Sequence, residues 1–288
     1  MIVLNLVSFG GSPINFPDLH TAPEVTTVNS DLVSLSNMTE GPIVEVDSGV
    51  DASGALVVNC FPSVGFVSSI VAHYLIDKLE LRLVGGVNHP KLPPMCLVQD
   101  GKPLPPLRFY TGEPVCKLDK CDKLILIMSE VQIDNQIKMS LARSLMDWIK
   151  ESESGVSIMI DSFVKGDTEG HTILDDDDVD TTILGIGSTD AAIKMLRDME
   201  LPLLKHGIVG GMTGVMMGES RRRSIDSLAI LAESNAGPLE GQPFPDARAA
   251  SRIIGCLDGL LPAIHLDPEP LLKEAQRIED QIRDMMAI

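Results

Sequence analysis

Short apolar runs alternate with longer stretches of helical character along most of the chain. The runs fall at residues 55–60, 123–128, 156–160, 182–186 and 227–232. Runs of this length and composition are typical of strands that are buried on both faces of a sheet. Between them, residues 135–150 and 190–199 repeat apolar side chains at helical spacing. Strands that alternate with helices predict an α/β fold, in which a largely parallel sheet carries helices on both faces.

A hairpin pattern interrupts this alternation. Residues 95–98 and 107–110 are strand-like, and Asp100-Gly101 between them is a turn signal. The two strands of a hairpin are antiparallel, so we expect a mixed sheet that is mostly parallel. With helices on both faces, the predicted architecture has three layers.

The chain contains no linker clear enough to divide the predicted core. Residues 1–54 are interrupted by glycine and proline and are interpreted as an arm or edge hairpin packed on the core. Residues 55–266 are predicted to form the α/β core domain, and residues 267–288 a C-terminal amphipathic helix. The apolar positions of that helix are spaced as in helices that pack lengthwise: Leu271, Ala275, Ile278, Ile282, Met285. Such a seam can close its own domain, or it can bind a partner or a second subunit.

Composition excludes several classes of partner. The net charge is −18 and aromatic residues make up 3% of the chain. Nucleic-acid surfaces need clustered Lys and Arg, and single strands need aromatic faces, so we expect no nucleic-acid partner. Five scattered cysteines predict neither a disulfide framework nor a zinc site. Because no apolar run is long enough for a membrane span and the N-terminus lacks the basic stretch of a secretory signal, we expect a cytoplasmic protein.

Any ligand is expected beyond the carboxyl ends of the strands, where open parallel sheets bind small molecules. Glu130, Asp161 and Glu233 follow predicted strands, and Gly65 lies in the turn after the first core strand. The three carboxylates could form an acid–base set, or each could accept a hydrogen bond from a neighbouring amide. Gly65, Glu130 and Glu233 define the candidate pocket.

Recognisable catalytic and cofactor motifs are missing from the sequence. It lacks the Gly-x-Ser-x-Gly nucleophile turn and the phosphate-binding Gly-x-x-x-x-Gly-Lys-Ser/Thr loop. A dinucleotide site needs three glycines where the turn around Gly65 has one. The aspartate run at 175–178 lacks the ligand pattern of a calcium loop, and the histidines never pair at ligand spacing. We therefore predict no catalytic residue, no cofactor and no metal.

A glycine-rich segment follows residue 207. Gly210, Gly214 and Gly218 recur every four residues, which places them on one face if residues 207–217 are helical. Glycine on a helix face lets another backbone approach closely, so we expect this helix to pack tightly against the sheet. A phosphate-binding helix start is the second interpretation.

Several segments in a fixed order resemble the proteasome-assembly chaperone family, especially its archaeal and bacterial members. The segments are Val58-Asn59-Cys60-Phe61-Pro62-Ser63-Val64-Gly65, Ala72-His73-Tyr74-Leu75, Gly207-Ile208-Val209-Gly210-Gly211, Ser227-Leu228-Ala229-Ile230-Leu231-Ala232-Glu233 and Phe244-Pro245-Asp246-Ala247-Arg248-Ala249-Ala250. They match the family's strand–turn–helix opening, its glycine helix, and its strand that ends in Glu before a Pro-Asp helix. The resemblance covers roughly residues 55–260.

The resemblance implies a nucleoside-phosphorylase-like fold, a homo-oligomer and the chaperoning of proteasome α subunits. Binding members of the family dock a C-terminal tail, made of a hydrophobic residue, a tyrosine and any residue, between α subunits. The corresponding residues here are Met286, Ala287 and Ile288, and Ala287 stands where the family has tyrosine. That difference removes a large contact and a hydrogen bond. The candidate partner-binding tail consists of Ile282, Met285, Met286, Ala287 and Ile288.

We therefore predict a proteasome-assembly chaperone-like protein. It would bind partner subunits, either proteasome α subunits or a related protein, as a homo-oligomer and without catalysis. The alternative is a small-molecule-binding protein or enzyme of the nucleoside phosphorylase-like class, which would use the candidate pocket. A ligand retained through purification would favour that alternative.

Overall fold

The described strands and helices alternate much as the sequence predicts. The structure, a computed structural model, describes residues 41–112, 115–117, 120–164, 171–173, 182–234, 244–261 and 265–273. The strands are β1 (Ile43–Val46), β2 (Leu56–Cys60), β3 (Arg82–Asn88), β4 (Leu97–Gln99), β5 (Lys102–Leu104), β6 (Arg108–Thr111), β7 (Val115–Lys117), β8 (Lys120–Asp122), β9 (Leu124–Met128), β10 (Ser157–Phe163), β11 (His171–Ile173), β12 (Ile183–Gly187), β13 (Gly207–Val209) and β14 (Ser227–Glu233). The helices are α1 (Val67–Lys78), α2 (Asn135–Glu151), α3 (Asp190–Asp198), α4 (Gly211–Arg223) and α5 (Ala247–Asp258), and a short 3-10 helix, Val64–Phe66, precedes α1.

One sheet of eight strands has the order β1-β3-β6-β9-β2-β10-β14-β12. The central strands β9, β2, β10 and β14 are parallel, and the pairings on both outer sides are antiparallel. β3 shares the direction of the central strands, because two antiparallel pairings separate it from β9. Five of the eight strands, the central four and β3, therefore point the same way, which confirms the predicted mixed, mostly parallel sheet.

The predicted hairpin pairs differently from the sequence prediction. β4 pairs with β5 across Asp100-Gly101, and residues 107–110 do not take part in that pairing. Both turn residues have positive φ, 49° and 76°, as in a two-residue hairpin turn, so pairing resumes immediately after the turn. Residues 107–110 instead contribute β6, which lies between β3 and β9 in the main sheet.

Each face of the sheet carries its own hydrophobic core. On one face α1, α3 and α5 pack on strand residues such as Val58 and Ile158. On the other face α2 and α4 pack on residues such as Val57 and Met159. Because successive side chains of a strand point to opposite faces, a strand buried on both must be apolar throughout, as β9 is. The three-layer α/β prediction is confirmed, and its nucleoside-phosphorylase-like label stays a prediction.

The glycine-rich segment forms a strand and a helix. β13 pairs with β11, and α4 begins after Gly210, its N-cap residue. A Cβ atom at Gly214 would lie 2.0 Å from the carbonyl oxygen of Val209, so a side chain does not fit there. At Gly218, which is exposed, a Cβ would meet no described atom within 4 Å. The prediction of one helix that packs through three glycines is therefore wrong, because the chain turns at Gly210 and Gly214 approaches the preceding strand.

The predicted C-terminal segment contains helical residues from 269 onward. Residues 269–273 are helical, and the carbonyl of Pro268 accepts a hydrogen bond from the amide of Leu271 at 3.1 Å. Leu271 packs against the core of α1 and α5, and the Tyr74 hydroxyl donates to the carbonyl of Asp267 at 2.7 Å. The first turn of this helix therefore packs on its own domain. The predicted tail lies outside the described residues: Ile282, Met285, Met286, Ala287, Ile288.

The predicted domain boundaries stay predictions. Residues 1–40 of the predicted arm also lie outside the described residues, whereas the end of the arm contributes β1 to the main sheet. None of the helices in the described part of the chain combines the length and the apolar character needed to cross a membrane.

Candidate functional site

The carboxyl ends of β9, β2, β10 and β14 lie along one edge of the sheet, because these strands are parallel. Glu130 follows β9, the Gly65 turn follows β2, Asp161 lies within β10 and Glu233 ends β14. Glu130 and Gly65 thus follow their strands as predicted, whereas Asp161 and Glu233, predicted to follow strands, belong to them. Their contacts, however, divide them into separate groups.

The turn after β2 has a left-handed backbone at two successive residues. φ is 63° at Gly65 and 52° at Phe66, and for a residue with a side chain this conformation costs about 1 kcal/mol. Hydrogen bonds hold the turn in place. The Gly65 carbonyl accepts from the Asp246 amide at 2.8 Å, and the Val64 carbonyl accepts from the Ser162 hydroxyl at 2.7 Å. The strained backbone is therefore fixed by contacts from outside the turn.

Side chains also enclose Gly65. A Cβ atom there would lie 2.3 Å from Ser234 Oγ and 2.9 Å from Asp246 Cβ. Asp246 caps α5, since its Oδ1 accepts from the Ala249 amide at 2.8 Å. Its Oδ2 accepts from the Ser234 hydroxyl at 3.1 Å. These contacts join the turn after β2 to the end of β14 and the start of α5.

Glu233 lies beside this enclosed turn, because it immediately precedes Ser234 in the chain. The Glu233 side chain is half-buried, and its carbonyl oxygen accepts from the Arg252 guanidinium at 2.7 Å. Gly65 therefore contacts the residue that follows Glu233 in the chain.

Glu130 belongs to a different cluster, on the other side of β2. Its carboxylate accepts hydrogen bonds from both terminal nitrogens of the Arg108 guanidinium, at 2.6 and 2.7 Å, in a bidentate ion pair. His73 of α1 places its Nε2 3.0 Å from the same carboxylate. Arg108 comes from β6, is 1% exposed, and donates from its Nε to the Tyr110 hydroxyl at 2.8 Å.

The surroundings of Glu130 favour its charged form. Burial raises the pKa of the Glu130 carboxyl, but hydrogen bonds from His73 and Arg108, together with the charge of Arg108, lower that pKa from 4.5 to about 2. Burial acts against the charge of Arg108 too, and Glu130 outweighs it, so the Arg108 pKa is raised. The pKa of a carboxyl group held ionised in this way is far below the value that suits a general acid or base near neutral pH. The geometry is that of a structural ion pair.

Asp161 connects β10 to α4. It is 8% exposed, and its carboxylate accepts from the Ser162 amide at 2.8 Å and from the Thr213 hydroxyl at 2.6 Å. Thr213 lies in the first turn of α4. Burial, and then the charge of Asp161, raises the pKa of the neighbouring Cys60 thiol, so this thiol is neutral and unreactive near pH 7.

The candidate pocket stays a prediction: Gly65 contacts Ser234 and Asp246, whereas Glu130 pairs with Arg108 and His73. The sequence analysis missed Arg108. Its signal was a lone arginine within an apolar strand run, which requires a buried acidic partner. Among the described residues, no group of three His, Cys, Asp or Glu side chains is placed to hold a metal ion.

The fold and these contacts define a class of protein: a three-layer α/β domain in which polar groups at the strand ends join its elements. A sequence model of the PAC2 family matches residues 57–286, and the chain belongs to this family.

Solved structures agree with that membership. PbaA from Pyrococcus furiosus, an archaeal homolog of proteasome-assembly chaperone, is 27% identical with a TM-score of 0.70, over 86% of this chain and 92% of the PbaA chain. PbaB from the same organism, an archaeal proteasome activator, has a TM-score of 0.68 at 16% identity, over 85% of this chain and 99% of its own, and shows the fold alone. The protein MJ0106 of Methanocaldococcus jannaschii is 21% identical over 236 residues, which are 82% of this chain and 87% of the relative. The predicted resemblance to the proteasome-assembly chaperone family is confirmed.

Proposed function

We propose that this chain is a cytoplasmic proteasome-assembly chaperone-like protein that works as a homo-oligomer and binds partner subunits without catalysis. The observation that carries the proposal is the similarity to PbaA, which extends over 86% of the chain. PbaA is an archaeal homolog of proteasome-assembly chaperone, and the resemblance to that family implies proteasome α subunits, or a related protein, as the partners. No observation favours the small-molecule alternative over this function.

The contacts at the strand ends support a binding role. The Glu130 carboxylate is paired with Arg108, and Asp161 accepts hydrogen bonds from the main chain and from Thr213. Groups that hold elements together in this way serve as a rigid scaffold, on which surface segments can be presented to a partner. The tail proposed for partner binding consists of Ile282, Met285, Met286, Ala287 and Ile288.

Native mass spectrometry of the purified protein tests this proposal, alone and mixed with proteasome α subunits from the same organism. We expect a homo-oligomer that captures α subunits and loses them when residues 274–288 are deleted. Because Ala287 stands where the family has tyrosine, Ala287→Tyr should tighten the capture, whereas Ala287→Ser should not. A homo-oligomer that ignores α subunits but carries a small-molecule adduct would contradict the proposal and support the alternative pocket.

A further inference from the structure

The two outer strands of the sheet differ in whether another described segment covers their outer edge. Beside β12, a following segment covers the edge: the Gly185 amide donates to the Pro202 carbonyl at 2.7 Å, and the Gly185 carbonyl accepts from the Leu204 amide at 3.0 Å. At the opposite side, β1 is the last described strand, and it pairs with β3 alone among the described strands. Among the described residues this edge is uncovered, and an uncovered strand edge is a template for a further strand.

The register of β1 shows which main-chain groups face the open side. The Asp47 amide donates to the Val84 carbonyl at 2.8 Å. Hydrogen-bonded and non-hydrogen-bonded pairs alternate along an antiparallel ladder, so Glu45 and Ile43 also fall in hydrogen-bonded pairs. The amides and carbonyls of Val44 and Val46 therefore point away from β3.

The side chains of β1 alternate between the core and the exposed face of the sheet. Val44 and Val46 pack toward the core beneath α2, whereas Ile43 is 47% exposed and Glu45 is exposed. On the neighbouring strand β3, Leu83 is 39% exposed. A strand added beside β1 would therefore meet apolar surface from Ile43 and a carboxylate from Glu45, whereas Leu83 lies on the inner side of β1.

Two surface depressions adjoin the edge and share Glu45 and Gly86. One, of about 570 Å³, is lined by residues 44–47 and 83–86. The other, of about 530 Å³, extends over residues 86–90, 92–95 and 105–106, which include several prolines. We call the outer edge of β1 together with these two depressions the β1 groove.

The charges of the β1 groove select among possible occupants. Glu45 and Asp47 are its carboxylates, and the Asp47–Arg82 pair, at 3.7 Å with side chains 65% and 61% exposed, is too solvated to neutralise the site. A second copy of β1, paired antiparallel, would bring two copies of Glu45 and Asp47 to one ladder, where like charges are destabilising. A segment with basic side chains is complementary in charge.

We propose that the β1 groove binds an extended segment of a partner protein, which adds to β1 as a strand and places basic side chains beside Glu45 and Asp47. This inference rests on the proposed function for the claim that the chain has a protein partner. Strand addition obtains its affinity from main-chain hydrogen bonds and its specificity from alternate side chains. Val44 and Val46 supply the main-chain groups, and Ile43 and Glu45 supply the side chains.

The probe for this site is a capped peptide of alternating valine and lysine, with a valine–glutamate peptide as its control. NMR hydrogen exchange on the full chain should show slower exchange of the Val44 and Val46 amides with the lysine peptide and no change with the glutamate peptide. Val44→Pro removes one outward amide without breaking the β3 ladder, and it should weaken binding about tenfold relative to Val44→Ala, which keeps that amide.

A charge reversal provides a second variant in case Val44→Pro does not fold. Glu45→Lys, at an exposed position, should also weaken binding of the lysine peptide about tenfold. The matched reversal Asp190→Lys, in the first turn of α3, should leave binding within about twofold. Unchanged exchange at Val44 and Val46, or equal binding by the paired variants, would overturn the groove assignment.

The outcomes also separate this inference from the proposed function. If α subunits bind Val44→Pro and Val44→Ala equally well, the chaperone proposal stands and the groove is not where they bind. If the peptide slows exchange at Val44 and Val46 while the wild-type protein ignores α subunits, the groove stands and the chaperone proposal fails.

Discussion

Replacing Glu130 with glutamine tests the ion pair that joins β6 to the end of β9. Glutamine keeps the size of glutamate and an oxygen acceptor but not the negative charge. Arg108, of which 1% is exposed, would remain protonated, as arginine does in proteins. The variant therefore leaves a buried cation without its counter-charge.

Two observations set the size of the effect. The fall of the Glu130 pKa from 4.5 to about 2 corresponds to about 3 kcal/mol in favour of the charged form. Breaking a buried pair by removing one partner costs about 3–5 kcal/mol. Glu130 is itself 21% exposed, and solvent screens part of the interaction. We therefore expect Glu130→Gln to lower the free energy of unfolding at pH 7 by about 2–3 kcal/mol.

Urea unfolding followed by the fluorescence of Trp148, the single tryptophan, measures this change. Its pH dependence supplies a second readout. Because the folded-state pKa of Glu130 is depressed, its stabilisation is fully present above pH 4.5 and is lost as the pH falls through about 2. The gap in stability between wild type and Glu130→Gln should therefore persist from pH 7 down to about pH 5 and narrow below it.

An exposed glutamate at the end of α2, Glu151, supplies the matched control. Glu151→Gln should change the free energy of unfolding by less than about 0.5 kcal/mol. Combining Glu130→Gln with Arg108→Met removes the stranded cation and should recover much of the lost stability. A Glu130→Gln variant as stable as wild type at pH 7, or a gap that does not narrow in acid, would refute the reasoning.

Glycine and cap substitutions test the other contacts, each by urea unfolding. Gly65→Ala should lower the free energy of unfolding by about 1–3 kcal/mol more than Gly54→Ala. Both glycines have positive φ, 63° and 70°, but only Gly65 of the two is enclosed by other atoms. Equal losses of stability would contradict the enclosure. Gly214→Ala should lower the free energy of unfolding by about 2 kcal/mol, whereas Gly218→Ala in the same helix should raise it by about 0.5–1 kcal/mol. Effects of the same sign and size would contradict the close approach of Gly214 to the Val209 carbonyl. Asp246→Ala should lower the free energy of unfolding by about 1–2 kcal/mol, and Asp246→Asn should lower it much less. Equal stability of Asp246→Ala and wild type would show that the cap does not stabilise the fold.

The strands and helices of the core were predictable because buried elements have a recognisable pattern of apolar residues. β9 is buried at every position, and its run of apolar residues is correspondingly unbroken. The helix cap at Asp246 was equally readable, since an aspartate before a helical pattern offers its carboxylate to the first free amides. Neighbouring residues determine both the buried strand and the helix cap, so both can be predicted from a short stretch of sequence.

Pairing and side-chain partners depend on distant parts of the chain, and the sequence analysis was weaker there. Residues 107–110 look like the second strand of a hairpin, yet they pair with β3 and β9, because the Asp100-Gly101 turn brings β5 to β4 first. The Glu130–Arg108 pair likewise joins residues on different strands, and Glu130 alone gives no sign of its partner. The candidate pocket failed to include Arg108 for the same reason.

The strand-end contacts bear on where a partner can bind. In this chain Gly65, Ser234 and Asp246 are in mutual contact at the strand ends, and Glu130 is held by Arg108. Filling the strand-end region with such contacts removes flexibility and free polar groups from the place where α/β sheets usually bind ligands. Binding by this domain is then expected at its periphery, where the edge of β1 presents the outward main-chain groups of Val44 and Val46 and the exposed side chain of Glu45. A partner captured by a variant with an altered strand-end turn, but not by one with an altered β1, would be the signature of this arrangement.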